Sequence, residues 1–312
     1  MRAVVLESTP AAPSVGEVEI PRPAAGELLV KVAASSVNGF DASTAAGYLQ
    51  GAMEHRFPLV VGMDFAGTVE ALGDGVNGFA VGDAVFGVVR KPFLGAGSMA
   101  EYVAVSAADG VVAIPDGLSL QHAGALGLAG TAALDAVNAV DPAAGETLLI
   151  SGATGGVGAL AVQLAAQRGA TVIATARSGT EAEFVSGLTG SRIQLVDYTG
   201  DLEAQVRAIA PDGVDAVLHL AGDIEQLASL LRPGGRIAST RIMSADAIER
   251  PDVAVHVVMA DTNAKTLSDL AARSASGELR VPVTATYGLQ EAPEAFAAFE
   301  AGALGKLAIT CS

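Results

Sequence analysis

A chain of 312 residues, 51% of them hydrophobic, has material for two hydrophobic cores, and its formal charge of −16 argues against nucleic acid as a partner because the 18 Lys and Arg are scattered. One cysteine, Cys311, excludes internal disulfides and a Cys-built structural zinc site, in keeping with a reducing, cytoplasmic location. The apolar stretches are short or interrupted, none reaching the ~18 residues of a membrane span, and the opening residues are too brief an apolar run for a secretory signal.

From the start to about residue 117, short strands are punctuated by glycine and proline, with clear β runs at 3–6, 28–32, 67–70 and 100–105. This predicts an all-β, barrel-like unit. Helix formers take over from Leu118, and from Thr147 strands predicted at 147–151, 171–175, 194–196, 216–220, 236–239 and 253–258 alternate with helical segments. Such alternation implies an α/β unit built on a doubly wound parallel sheet. The tail, with a helix at 265–276, a strand at 281–287, a helix at 292–301 and a strand at 306–310, lacks that alternation and is expected to fold back onto the first unit. The predicted layout is therefore a discontinuous domain, 1–122 plus 262–312, around a contiguous domain, 123–261.

The most informative stretch is Leu148-Leu149-Ile150-Ser151-Gly152-Ala153-Thr154-Gly155-Gly156-Val157-Gly158, an apolar strand running through glycines into helical spacing. A dinucleotide pyrophosphate needs such a context: close backbone approach, free N–H groups at a helix start and a favourable helix dipole. Gly152, Ala153, Thr154, Gly155, Gly156 and Val157 are the predicted phosphate-side residues.

Several further motifs extend the pattern over nearly the whole chain. They are Ser36-Val37-Asn38-Gly39-Phe40-Asp41, Pro58-Leu59-Val60-Val61-Gly62-Met63-Asp64-Phe65-Ala66-Gly67, Val81-Gly82-Asp83-Ala84-Val85-Phe86-Gly87, Gly97-Ser98-Met99-Ala100-Glu101-Tyr102, Gly130-Thr131-Ala132 and Leu231-Arg232-Pro233-Gly234-Gly235-Arg236. In this order they resemble the medium-chain dehydrogenase/reductase superfamily, and within it the zinc-free, quinone-oxidoreductase-like members. The resemblance implies a GroES-like β-barrel domain, a Rossmann domain, a nicotinamide cofactor and a homodimer.

Zinc-dependent relatives hold their metal with a Cys in the first domain and a His-Glu pair further on, where this chain has Asn38 and Met63-Asp64. Its histidines, at 55, 122, 219 and 256, show no ligand spacing. Without a Lewis acid the expected substrate is an intrinsically good hydride acceptor, a quinone or an activated alkene.

Cofactor choice is expected at the end of the second Rossmann strand, where Ala176-Arg177-Ser178 offers a cation and a hydroxyl and Glu181 comes too late to be the usual ribose-binding acid. NADPH is the predicted cofactor, with a roughly ten- to hundred-fold preference if Arg177 pairs with the 2′-phosphate. By the resemblance, Tyr198 lies near the adenosine end, Thr131 and Lys306 near the cofactor, and Asn38 and Asp41 beside the nicotinamide. Asn38-Gly39 also reads as a plain turn. Tyr48 is a candidate to orient a substrate oxygen or deliver a proton, and His55 a weaker donor candidate. The expected activity is NADPH-dependent reduction of a quinone; alternatives are an alkenal or enoyl reductase and a non-catalytic NADPH-binding sensor.

Overall fold

The computed structural model describes residues 1–190 and 193–311. Backbone contacts divide the chain into two units, Met1–Thr131 with Thr262–Ser312, and Ala132–Asp261.

The first unit begins with strands β1 (Arg2–Leu6), β2 (Ser14–Glu17) and β3 (Glu27–Ser36), then helix α1 (Gly39–Ala45). It continues through β4 (Glu54–Val60), β5 (Asp64–Leu72), β6 (Ala84–Val88), β7 (Phe93–Ala96), β8 (Tyr102–Ser106) and β9 (Val111–Ala113) to the short helix α2 (Leu120–Ala123). Strands β3 and β5 pair antiparallel along most of their length, and their buried Leu28, Val30, Val32, Phe65 and Val69 join Leu6, Leu59 and Met99 in one core. The unit extends past the composition shift at 118–122. Leu126 is fully buried and the Leu128 N–H donates to Asp64 Oδ1 at 2.7 Å, so the chain stays with the barrel into helix α3 (Gly127–Val140).

In the second unit, β10 (Thr147–Ser151), α4 (Gly156–Gln167), β11 (Thr171–Thr175), α5 (Thr180–Ser186), β12 (Gln194–Val196), α6 (Leu202–Ile209), β13 (Val214–His219), α7 (Ile224–Ser229), β14 (Leu231–Ser239) and β15 (Ala254–Val257) follow in turn. The described strands form a parallel sheet in the order β12-β11-β10-β13-β14-β15. Chain order reverses between β10 and β13, the position at which doubly wound sheets bind ligands at their strand ends. The strand ending there, Leu148 to Ile150, is fully buried, so its exit into the glycine turn is fixed by packing on both faces.

The tail returns to the first unit. Helix α8 (Ala264–Ala275) packs against β9, β16 (Val283–Gly288) pairs parallel with β17 (Lys306–Thr310), and β17 pairs antiparallel with β3. Helix α9 (Ala292–Glu300) lays Ala292, Ala295 and Phe296 into the same core as β3 and β5. Pairing β17 with β3 puts residue 306 beside residue 38, across 268 positions of sequence. No helix among the described residues is long and apolar enough to cross a membrane.

Candidate active site

Asn38 is the N-cap of α1, so the Asn-Gly pair starts a helix rather than only a turn. Its backbone N–H donates to Asp41 Oδ2 at 2.9 Å, the N3 side chain accepting as in a capping box. Its side chain is diverted from capping. Nδ2 donates to Asp64 Oδ2 at 3.0 Å and to the Ser36 carbonyl at 3.3 Å, while Oδ1 accepts from Lys306 Nζ at 2.5 Å. These partners fix the amide orientation, since an ammonium can only donate and a carboxylate can only accept. Lys306 also donates to the Val37 carbonyl at 3.2 Å and lies 3.5 Å from Asp64, whose oxygens accept from Ser36 Oγ and the Leu128 N–H, each at 2.7 Å.

All four groups are buried. Burial, and then the charge of Asp64, push the Asp41 carboxyl up to about 7, and Asp41 also lines a cavity of about 40 Å³ walled by Phe40, Met53, Leu59 and Val89. Burial pushes the Lys306 ammonium down, opposed by the charges of Asp64 and Asp41. The structure thus joins Asn38, Asp41 and Lys306 and adds Asp64, which sequence reasoning had considered only as the place of a missing zinc ligand. Among the described residues no group of three or more His, Cys, Asp or Glu could hold a metal ion. Of the three residues at the expected ligand positions, Met63 carries no charge, and Asn38 Oδ1 and Asp64 Oδ2 both face the Lys306 ammonium.

Tyr48 stands apart from this cluster, 81% exposed. His55, on β4, donates from Nδ1 to the Met53 carbonyl at 2.9 Å, and its Nε2 is buried without a hydrogen-bond partner. Thr131, on α3, is fully buried and its Oγ1 has no hydrogen-bond partner.

In the second unit, Gly152 follows β10 with φ of +86°, a conformation that favours glycine, and its N–H donates to Thr175 Oγ1 at 2.9 Å. A Cβ on Gly158 would fall 2.1 Å from the Gly152 carbonyl oxygen, so only glycine lets α4 approach the turn this closely. Gly155, the N-cap, has no side-chain cap, and a Cβ there would meet only one atom, at 3.7 Å. Neither strain nor crowding explains that glycine. The space it leaves over an uncapped helix start fits the pyrophosphate of a pyridine dinucleotide.

Arg177 leaves β11 with 58% of its side chain exposed. Glu181, one helical turn on and buried, accepts the Arg177 backbone N–H at 2.7 Å and Nε at 2.7 Å, and lies 2.6 Å from Nη2. Tyr198 OH donates to the same carboxylate at 3.1 Å, and the guanidinium lies 5.9 Å from the Tyr198 ring centre. Burial raises the Glu181 carboxyl, but the hydrogen bonds from Arg177 and Tyr198 outweigh it and hold the group below its usual range. Asp197 is held low by the Thr199 hydroxyl and N–H, then by the Ser178 N–H and the Arg177 charge. Sequence reasoning placed Arg177, Ser178 and Tyr198 here and set Glu181 aside. The i, i+4 spacing of Arg177 and Glu181 was the available signal.

Comparison with known proteins agrees with this architecture. Residues 24–116 match the alcohol dehydrogenase GroES-like domain, and residues 193–309 match a domain described as zinc-binding dehydrogenase. The quinone oxidoreductase of Sus scrofa is 32% identical over 226 residues, 71% of this chain and 66% of that protein; a chloroplast envelope quinone oxidoreductase homolog of Arabidopsis thaliana is 33% identical over 67% of this chain and 63% of its own length. The aligned stretch thus spans just under two thirds of these relatives. The 2-methylene-furan-3-one reductase of Solanum lycopersicum is 29% identical over 97% of this chain and 74% of its own length. The structure of the quinone oxidoreductase from Coxiella burnetii superposes with a TM-score of 0.87 at 28% identity, covering 100% of this chain and 99% of that one. By its motifs, its sheet order and these matches, the chain belongs to the medium-chain dehydrogenase/reductase family.

Proposed function

We propose that the chain is a zinc-independent, NADPH-dependent oxidoreductase that reduces a quinone. The observation that carries this reading is the engagement of Asn38 and Asp64 by Lys306, an arrangement that disfavours a Lewis acid there and so supports an acceptor that is electrophilic by itself. When bound, NADPH supplies hydride from C4 of its nicotinamide ring. The uncapped start of α4 presents backbone N–H groups to the pyrophosphate, and the exposed edge of Arg177 offers a charge-assisted contact to the 2′-phosphate. Lys306 and Asp64 hold the Asn38 amide in one orientation, which serves positioning rather than proton transfer.

A second reading, reduction of an α,β-unsaturated carbonyl, is favoured by the tomato 2-methylene-furan-3-one reductase, whose match covers nearly all of this chain. Purified protein assayed for NADPH oxidation with a benzoquinone and with an enal separates the two: the faster acceptor identifies the class. EDTA should leave the rate unchanged, and loss of activity with release of stoichiometric zinc would sink the metal-free reading. Arg177→Ala should raise the NADPH KM about three- to tenfold with kcat and the NADH KM nearly unchanged. That factor is below what a bare pair implies, because Glu181 already engages two guanidinium nitrogens.

A further inference from the structure

The Arg177 guanidinium is paired with one carboxylate and lies within the electrostatic reach of a second. Glu181 touches it directly, and Asp197, fixed by Thr199 Oγ1 at 2.6 Å and the Thr199 N–H at 2.9 Å, acts on it electrostatically and engages the neighbouring Ser178 N–H. The place where a 2′-phosphate would be received therefore carries one positive and two negative charges. Glu181 is held in this position by donors from three directions, the Arg177 side chain, the Arg177 backbone and Tyr198 OH.

We infer that Glu181, and more weakly Asp197, set how strongly the chain discriminates NADPH from NADH, by holding negative charge against the 2′-phosphate that Arg177 attracts. This rests on the reading of Arg177 as the 2′-phosphate contact. A phosphate of nearly two negative charges on the outer edge of the guanidinium would face the Glu181 carboxylate across that group, where surface screening still leaves a repulsion equivalent to about three- to tenfold in affinity. Asp197 is more solvated and contributes about twofold. The wild-type preference for NADPH is consequently only a few-fold.

The test is equilibrium binding, followed by the fluorescence of the reduced nicotinamide, with NADPH and NADH titrated into wild type, Glu181→Gln, Asp197→Asn and Arg177→Ala. Gln keeps an acceptor for Arg177 Nε while removing the charge. Glu181→Gln should tighten NADPH about three- to tenfold and Asp197→Asn about twofold, with NADH changed by less than about twofold in both. Unchanged or weakened NADPH binding in variants that melt at the wild-type temperature overturns the inference. If Glu181→Gln fails to fold, Asp197→Asn decides alone, in the same two directions. Arg177→Ala separates the levels: selective loss of NADPH affinity there, without tightening in Glu181→Gln, removes only the inference, whereas unchanged NADPH affinity removes the underlying reading of Arg177.

Discussion

Two clusters in this chain share one composition, a cation with two carboxylates, and differ in their access to water. Lys306 with Asp64 and Asp41 is buried, Lys306 at 2% exposure; Arg177, with Glu181 and Asp197, keeps 58% of its side chain exposed. In the buried cluster the surplus negative charge has no solvent to spread into, so burial and Asp64 push Asp41 up to about 7 and a proton can restore balance. In the exposed cluster, nearby N–H and O–H donors and the Arg177 charge keep both carboxylates below their usual range, Glu181 despite its own burial. Identical charge arithmetic thus yields a buried cluster that a proton can balance in one place and, in the other, a cluster whose cation keeps an exposed edge, as the proposed 2′-phosphate contact requires.

The largest test of that contrast is removal of the cation. Lys306→Met strips a donor from Asn38 Oδ1 and the Val37 carbonyl and leaves Asp64 without its counter-ion, which should cost about 3–5 kcal/mol in urea unfolding. Arg177→Met should leave the unfolding midpoint nearly unchanged. Equal midpoints for the two variants would erase the distinction. A smaller effect is expected from the proton. Because the folded pKa of Asp41 lies above the ordinary 3.8, the folded state holds an extra proton between about pH 4 and 7, and that contribution to stability falls as pH rises through the window. Asp41→Asn removes the slope. Relative to wild type it should gain roughly 2 kcal/mol between pH 5 and pH 8, and a flat difference across that range would show that Asp41 does not titrate there.

Much of the architecture was legible because local pattern and tertiary role coincide. The run from Leu148 to Gly158 carries strand, turn and helix signals in order, and the structure forms β10 and α4 there. The barrel was harder. Strands β2, β4, β7 and β9 are short or polar on one face, and Asn38-Gly39 reads as a plain turn until Asp41 is seen closing the first turn of α1. Across the two clusters, Asn38, Arg177 and Lys306 stand in recognisable motifs, and the i, i+4 spacing hints at the partner of Arg177, but the counter-ion of Lys306 does not announce itself. Nothing local tells that Asp64 meets Lys306, 242 residues later, because that contact is made by sheet pairing. Glu181 reads as an ordinary helix-start acid, and its burial against Arg177 and Tyr198 decides its role.

The finest comparison deletes one hydroxyl from each cluster. Ser36 Oγ donates to Asp64 at 2.7 Å in the interior, and Tyr198 OH donates to Glu181 at 3.1 Å nearer the surface. In the interior no water replaces the lost donor, so Ser36→Ala should cost about 1–2 kcal/mol of stability, read as a lower urea midpoint at unchanged slope. Tyr198→Phe keeps the ring that lies 5.9 Å from the guanidinium and removes only the hydroxyl, while Arg177 still engages both Glu181 oxygens and water is close by. With one donor gone, Oε1 leans more fully on Arg177 and leaves slightly less of its charge for a 2′-phosphate. NADPH should therefore bind up to about twofold more weakly, with NADH affinity and the unfolding midpoint at their wild-type values. A Tyr198→Phe loss as large as that of Ser36→Ala would mean that the Arg177 cluster is buried in effect, and that exposure is not what separates the two.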